Sequence, residues 1–121
     1  MLATADMQMA GYSNDVSLPV QKRMVDEALA TPGVIAAGTI DTTPLSGSAS
    51  STSIYRDRTT KFGVSSRALG AKYWSISPGY LRAAETRLMA GRDVTWHDDA
   101  KSPKVAVINQ VFAVALYLTC R

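Results

Sequence analysis

The chain has 121 residues, 46% of them hydrophobic and 19% charged: enough for one domain with a core, too few for two. The formal net charge is +3, but the Lys and Arg residues are scattered, with Lys22 beside Arg23 and Arg56 near Arg58 as the closest groupings. The basic stripe of a nucleic-acid-binding domain is missing, and the single cysteine, Cys120, excludes an internal disulfide.

Residues 2–9 alternate apolar with small or polar side chains and read as a strand. From Val16 to Ala30, Val16, Val20, Met24, Val25, Ala28 and Leu29 recur at helical spacing. Asn14, Asp15 or Ser17 can cap this helix. Thr31-Pro32-Gly33 ends it, because proline cannot continue a helix and glycine takes the left-handed turn. Residues 34–45 read as a buried strand ending at Pro44. The small-residue stretch 46–53 lacks the spacing and the lysine of a phosphate-binding loop, so it is expected to be a plain loop. Residues 53–60 alternate weakly, as an edge strand with charges facing water does.

Residues 68–77 form the next expected strand. Ser77 is placed to cap a helix with Pro78 at its first position, running to Glu85 or Thr86 and turned by Gly91. Residues 94–103 are a polar loop. The β-branched run 104–109 reads as a buried strand, and Asn109 as the cap of a last helix over 110–118. The element order suggests an α+β fold: a split βαβ, ferredoxin-like or porter-like sheet with helices on one face.

The chemistry is sparse. The only histidine, His97, stands beside Asp98 and Asp99, but three neighbours on one loop rarely converge on a metal. No G-x-S-x-G accompanies the many serines, and Cys120 has no partner in sequence. No catalytic group, cofactor or metal site is expected. Trp74, Tyr73 and Tyr80 bracket the strand-to-helix junction, where aromatics more often anchor a core or an interface than stack on a ligand. No basic n-region and apolar core open the chain, and its longest apolar run, 111–118, is shorter than the ~20 residues of a membrane span.

Ser77-Pro78-Gly79-Tyr80-Leu81, then Leu88-Met89-Ala90-Gly91-Arg92-Asp93, then Asp98 and Asp99, then Val105-Ala106-Val107-Ile108-Asn109 follow one another in an order that resembles the MacB-like periplasmic core domain. That family reads V-S-P-G-Y-F, a short helix, L-L-x-G-R-x-F, an acidic residue or two, and V-A-V-I-N. Pro32-Gly33-Val34 and Pro44-Leu45 are similar to two further family positions, so the likeness covers roughly residues 12–109. It implies the extracytoplasmic part of an ABC-type permease of the FtsX/MacB kind, inserted after the first transmembrane helix. It implies that a separate ATPase hydrolyses ATP, and that the domain moves in response and contacts partner proteins. Expected partners are the remainder of the permease, its ATPase and a periplasmic adaptor protein, with no nucleic acid.

On this reading Ser77, Pro78, Gly79, Tyr80, Gly91, Arg92 and Asn109 are architecture. Gly91 allows a tight turn and Arg92 pins it to Asp93, Asp98 or Asp99. The chain departs from the family after Asn109, where a polar-faced helix with arginines gives way to QVFAVALYLTCR. Residues 1–121 are therefore read as one domain, either a fragment of a larger periplasmic domain or an incomplete gene product. The apolar tail is expected to form an interface through Val111, Phe112, Leu116 and Leu118, holding a homodimer or covering a further part of the parent protein. Two rival readings are a small-molecule binding or sensor domain on an α+β frame and a hydrolase built around His97.

Overall fold

The computed structural model describes residues 1–119; Cys120 lies outside the described residues. The protein is a small α+β structure with a two-stranded antiparallel sheet and three helices. In chain order these are α1 (Asn14–Ala30), β1 (Ser50–Ile54), β2 (Leu69–Tyr73), α2 (Tyr80–Ala83) and α3 (Gln110–Thr119), with a 3-10 turn at Val64–Ser66 before β2. β1 and β2 pair from Ser50 opposite Tyr73 to Ile54 opposite Leu69.

α1 forms where its periodicity predicts. Val25 is its buried centre, with Ser17, Val20, Gln21 and Ala28 half-buried on the same face. The N-cap is Ser13, which makes no side-chain capping bond; its carbonyl accepts from the Val16 amide at 3.2 Å and the Ser17 amide at 3.1 Å. The side chains of Asn14 and Asp15 lie outside the described residues. At the other end the Thr31 amide donates to the Ala28 carbonyl and Gly33 takes φ +87°, as the Thr-Pro-Gly sequence predicts.

Three expected strands do not form among the described residues. Residues 2–9 include no strand; Asp6 accepts from the Met9 amide at 2.9 Å and nucleates a turn through Tyr12. Residues 34–40 pair only at the Ile40–Ile76 bridge, and 41–45 bend and turn, with Leu45 at φ +66°. Residues 104–109 form no regular element and are exposed. β-branched composition describes a residue's fit to a half-buried pleated surface; where no neighbouring edge is presented, it does not make a strand. The paired strand β1 begins at Ser50, inside the small-residue stretch expected as a loop, and stops before the charged residues 56–58, so of the edge strand expected over 53–60 only Ser53 and Ile54 form.

The extended run 69–77 has two partners in succession. Its first five residues pair with β1. Beyond them, the Asp41 amide donates to the Ser75 carbonyl at 3.0 Å and the Ser77 amide to the Thr39 carbonyl at 2.9 Å. α2 is shorter than its sequence predicts. Glu85 turns left-handed at φ +52°, the Thr86 amide donates to the Leu81 carbonyl at 2.8 Å, and the Glu85 amide to that of Arg82 at 3.1 Å. This is a Schellman closure, and it stops the helix after one turn.

Val25 and Ser77 are the buried residues among those described, and the chain exposes 10050 Å². A compact monomer of this mass exposes about 6,300 Å². The surface is thus much larger than folding alone would leave, with the apolar side chains of α3 and of 105–108 contributing to it.

The close approach that shapes the centre involves two glycines. A Cβ on Gly79, which has φ +84°, would come 2.6 Å from the Ala37 carbonyl oxygen, and one on Gly38 would collide with the Tyr80 backbone. Both obstacles are main chain and cannot swing away. Gly38→Ala and Gly79→Ala are each expected to cost about 1–3 kcal/mol, measured by denaturant unfolding. A loss near zero for both would mean that the two segments separate without penalty.

Candidate functional site

The residues singled out from the sequence assemble into two neighbouring structures rather than one catalytic centre. The first is the crossing of 37–41 over 75–80. Ser77 was expected to cap the following helix. Instead the N-cap of α2 is Gly79 in the left-handed conformation, with no side-chain cap. The Ser77 hydroxyl oxygen accepts from the Thr39 amide at 2.8 Å, and the hydroxyl donates to the Pro78 carbonyl at 3.1 Å. The Tyr80 amide donates to the Ser77 carbonyl at 3.2 Å, closing the Ser-Pro-Gly-Tyr turn. The correction has a simple cause: Gly79 sets the helix entry through its backbone, which leaves the Ser77 side chain to satisfy a buried donor of another segment.

The second structure is the loop 91–102. Gly91 takes φ +80°, as expected of the turn. Arg92 clamps Asp98 with two parallel bonds, Nη1 to Oδ2 at 2.8 Å and Nη2 to Oδ1 at 2.7 Å, and also donates to the Asp93 carbonyl at 2.9 Å. The Thr95 amide donates to Asp98 Oδ2 at 2.8 Å. The Asp98 side chain is 12% exposed, against 59% for Arg92. Asp99 accepts from the Lys101 amide at 2.9 Å and the Ser102 amide at 3.1 Å. The Arg92 guanidinium, then the Thr95 amide, hold the Asp98 carboxyl well below the usual carboxylate range. The Lys101 amide, followed by the bonds from Ser102, lowers Asp99 in the same direction. Arg92 is in turn raised by Asp98.

Between these structures and α1 runs an open groove of about 690 Å³. Tyr12, Leu18 and Met24 form its apolar wall, residues 38–41 and 75–78 its floor, and Asp98 and Asp99 part of its rim. Trp96 links the loop to α1, its ring 5.9 Å from the Lys22 ammonium, which also pairs with Asp26 at 3.1 Å. The acidic groups on the rim already accept several donors within their own loop.

His97 is exposed. The nearby Ser102 hydroxyl donates to the His97 main-chain carbonyl at 2.6 Å and to Asp99 at 3.2 Å, so it is bound to the loop rather than to the imidazole. Among the described residues no group of three His, Cys, Asp or Glu side chains is arranged to hold a metal ion. Asn109 caps α3 as its position predicts, accepting from the Phe112 amide at 2.7 Å. The four tail residues divide: Phe112 and Leu116 are half-buried, Val111 and Leu118 exposed. Gly38, Thr39 and Lys22 carry much of the geometry and were not singled out beforehand. An isolated glycine within an apolar extended run does signal a close backbone approach, and 34–40 contains one.

No family model, curated protein or solved structure matches the chain.

Ser77→Ala leaves the part-buried Thr39 amide without its acceptor. The expected loss is about 1–3 kcal/mol, with faster hydrogen exchange at Thr39 and no change at the start of α2. Protection lost at α2 instead would restore a capping role. For the loop, the depressed Asp98 and Asp99 values contribute stability that is present above about pH 4, where unfolded carboxylates titrate, and lost as pH falls below it. Amide shifts of Thr95 and Ser102 followed downward from pH 6 should hold steady through about pH 4, where a free carboxylate already titrates, and change only at lower pH. Asp98→Asn should remove the Thr95 response alone; an unchanged Thr95 profile would mean the clamp does not order the loop.

Proposed function

We propose that this chain is an extracytoplasmic domain of an ABC-type permease of the MacB-like kind, without catalysis of its own, that transmits motion and contacts partner proteins during efflux or substrate extraction. The observation that carries the reading is the ordered series Ser-Pro-Gly-Tyr, Gly-Arg-Asp, Asp98 and Val-Ala-Val-Ile-Asn across residues 77–109. Two local features support it. Ser77, Gly79 and Tyr80 serve a backbone crossing, and Arg92 serves a loop clamp, so these motif residues act as architecture. The segments 34–40 and 104–109, with strand composition but outside the two-stranded sheet, are the strands that a split βαβ, porter-like sheet would add. On this reading they pair when the remainder of the permease is present. The ATPase and a periplasmic adaptor are the further partners, and the domain faces the periplasm.

The test uses the chain with its native flanking sequence in its own cells. Val64 is 85% exposed, so Val64→Cys in a Cys120→Ser background should react with a membrane-impermeant maleimide in intact cells, and the tagged chain should co-purify with an ATPase subunit. Labelling only after lysis overturns the location. Labelling in intact cells without any ATPase, but with saturable binding of a small molecule in the groove, favours a sensor domain.

A further inference from the structure

α3 presents two different faces. Phe112, Ala115, Leu116 and Thr119, spaced i, i+3, i+4 and i+7, are half-buried, as is Ala113. Val111, Val114 and Leu118, spaced i, i+3 and i+7, form an outer stripe exposed by 80%, 52% and 65%. No residue of Gln110–Thr119 is charged. An uncharged helix with an exposed apolar stripe needs a cover.

A basic loop stands at one end of that helix. The Arg56 Nε donates to the Thr119 carbonyl at 3.1 Å, which fixes the loop 55–62 at the C-terminal end of α3. The loop carries Arg56, Arg58 and Lys61 against the single acid Asp57. Among the described residues the ion pairs are Lys22–Asp26 and Arg92–Asp98, so none of these three cations has a carboxylate partner. Phe62 is held in the loop by an edge-to-face contact with Tyr55, centroids 5.0 Å apart, and its ring is largely exposed.

We propose that the outer stripe of α3 and the loop 55–62 together form a docking surface for an anionic lipid membrane. Apolar side chains beside uncompensated cations are the two signals that hold a protein to such a surface. No helix among the described residues is long and apolar enough to cross a membrane; the proposal lays α3 along the interface, its outer stripe against the lipid. A second copy of the chain fits less well. Parallel pairing of two α3 helices brings the two basic loops together and so juxtaposes like charges. This inference does not depend on the permease reading.

The experiment is flotation of the purified chain with two kinds of vesicle: phosphatidylglycerol mixed with phosphatidylcholine, and phosphatidylcholine alone. The chain is expected to float with the anionic vesicles, less so as salt rises, and to stay behind with the neutral ones. Arg58→Gln/Lys61→Gln should weaken anionic binding by about 25-fold, about 5-fold for each charge removed. Val114→Glu/Leu118→Glu should abolish it with the circular dichroism spectrum unchanged. The loop variant lies outside α3 and tests the proposal even where the glutamates melt the helix. Equal flotation with both vesicles, or with neither, overturns it. So does a concentration-dependent dimer in sedimentation that Val114→Glu/Leu118→Glu dissociates while anionic vesicles retain nothing.

Discussion

The crossing of residues 37–39 over 77–80 is the constraint on which the rest of this structure depends. It needs a backbone approach that only glycines at 38 and 79 permit, and it needs Ser77 to satisfy the Thr39 amide that the approach buries. Once made, it fixes the direction in which α2 leaves the extended run and supplies the floor of the groove. Val25, Leu29, Ala37, Pro78 and Trp96 then line the cleft where α1 meets this crossing. The helix seats on the crossing rather than on the two-stranded sheet, and Lys22 and Asp26 on α1 face the loop that Trp96 belongs to.

The loop 91–102 solves a different problem with the same economy. It has no strand or helix to order it, so its two neighbouring carboxylates do so. Asp98 gathers the guanidinium and the Thr95 amide, and Asp99 gathers the next two amides. A bidentate arginine–carboxylate pair is geometrically specific as well as charged, which lets one side chain fix the exit from the Gly91 turn. Residues that look like a cation site in the sequence are thereby spent on the loop's own backbone donors.

The large exposed surface follows from this arrangement. The crossing and the clamp are local, and between them they bury little apolar area, so much of the chain's hydrophobic side-chain surface still faces outward. Burial of apolar surface is the main favourable term in folding and in association. The exposed apolar side chains run along the whole chain, with Val111, Val114, Tyr117 and Leu118 of α3 among them.

The features legible in the sequence are those set by interactions a few residues apart. The 3.6-residue periodicity of α1, its stop at Thr31-Pro32-Gly33, the turn at Gly91, the reach of Arg92 to an aspartate and the cap at Asn109 all close within one or two turns of chain, so residue type and spacing specify them. The strands were less legible because pairing is a property of two segments. The runs 34–45 and 104–109 have strand composition, yet the first meets a partner only at Ile40 and the second forms no strand, while Ser50–Ile54, with the composition of a loop, pairs with β2. Ser77 shows the same division within one residue. Its chemistry as an acceptor of a backbone amide was readable from its type and place. Which amide it serves was decided by the approach of Gly38 to Tyr80, a contact between residues 42 positions apart that no local spacing encodes.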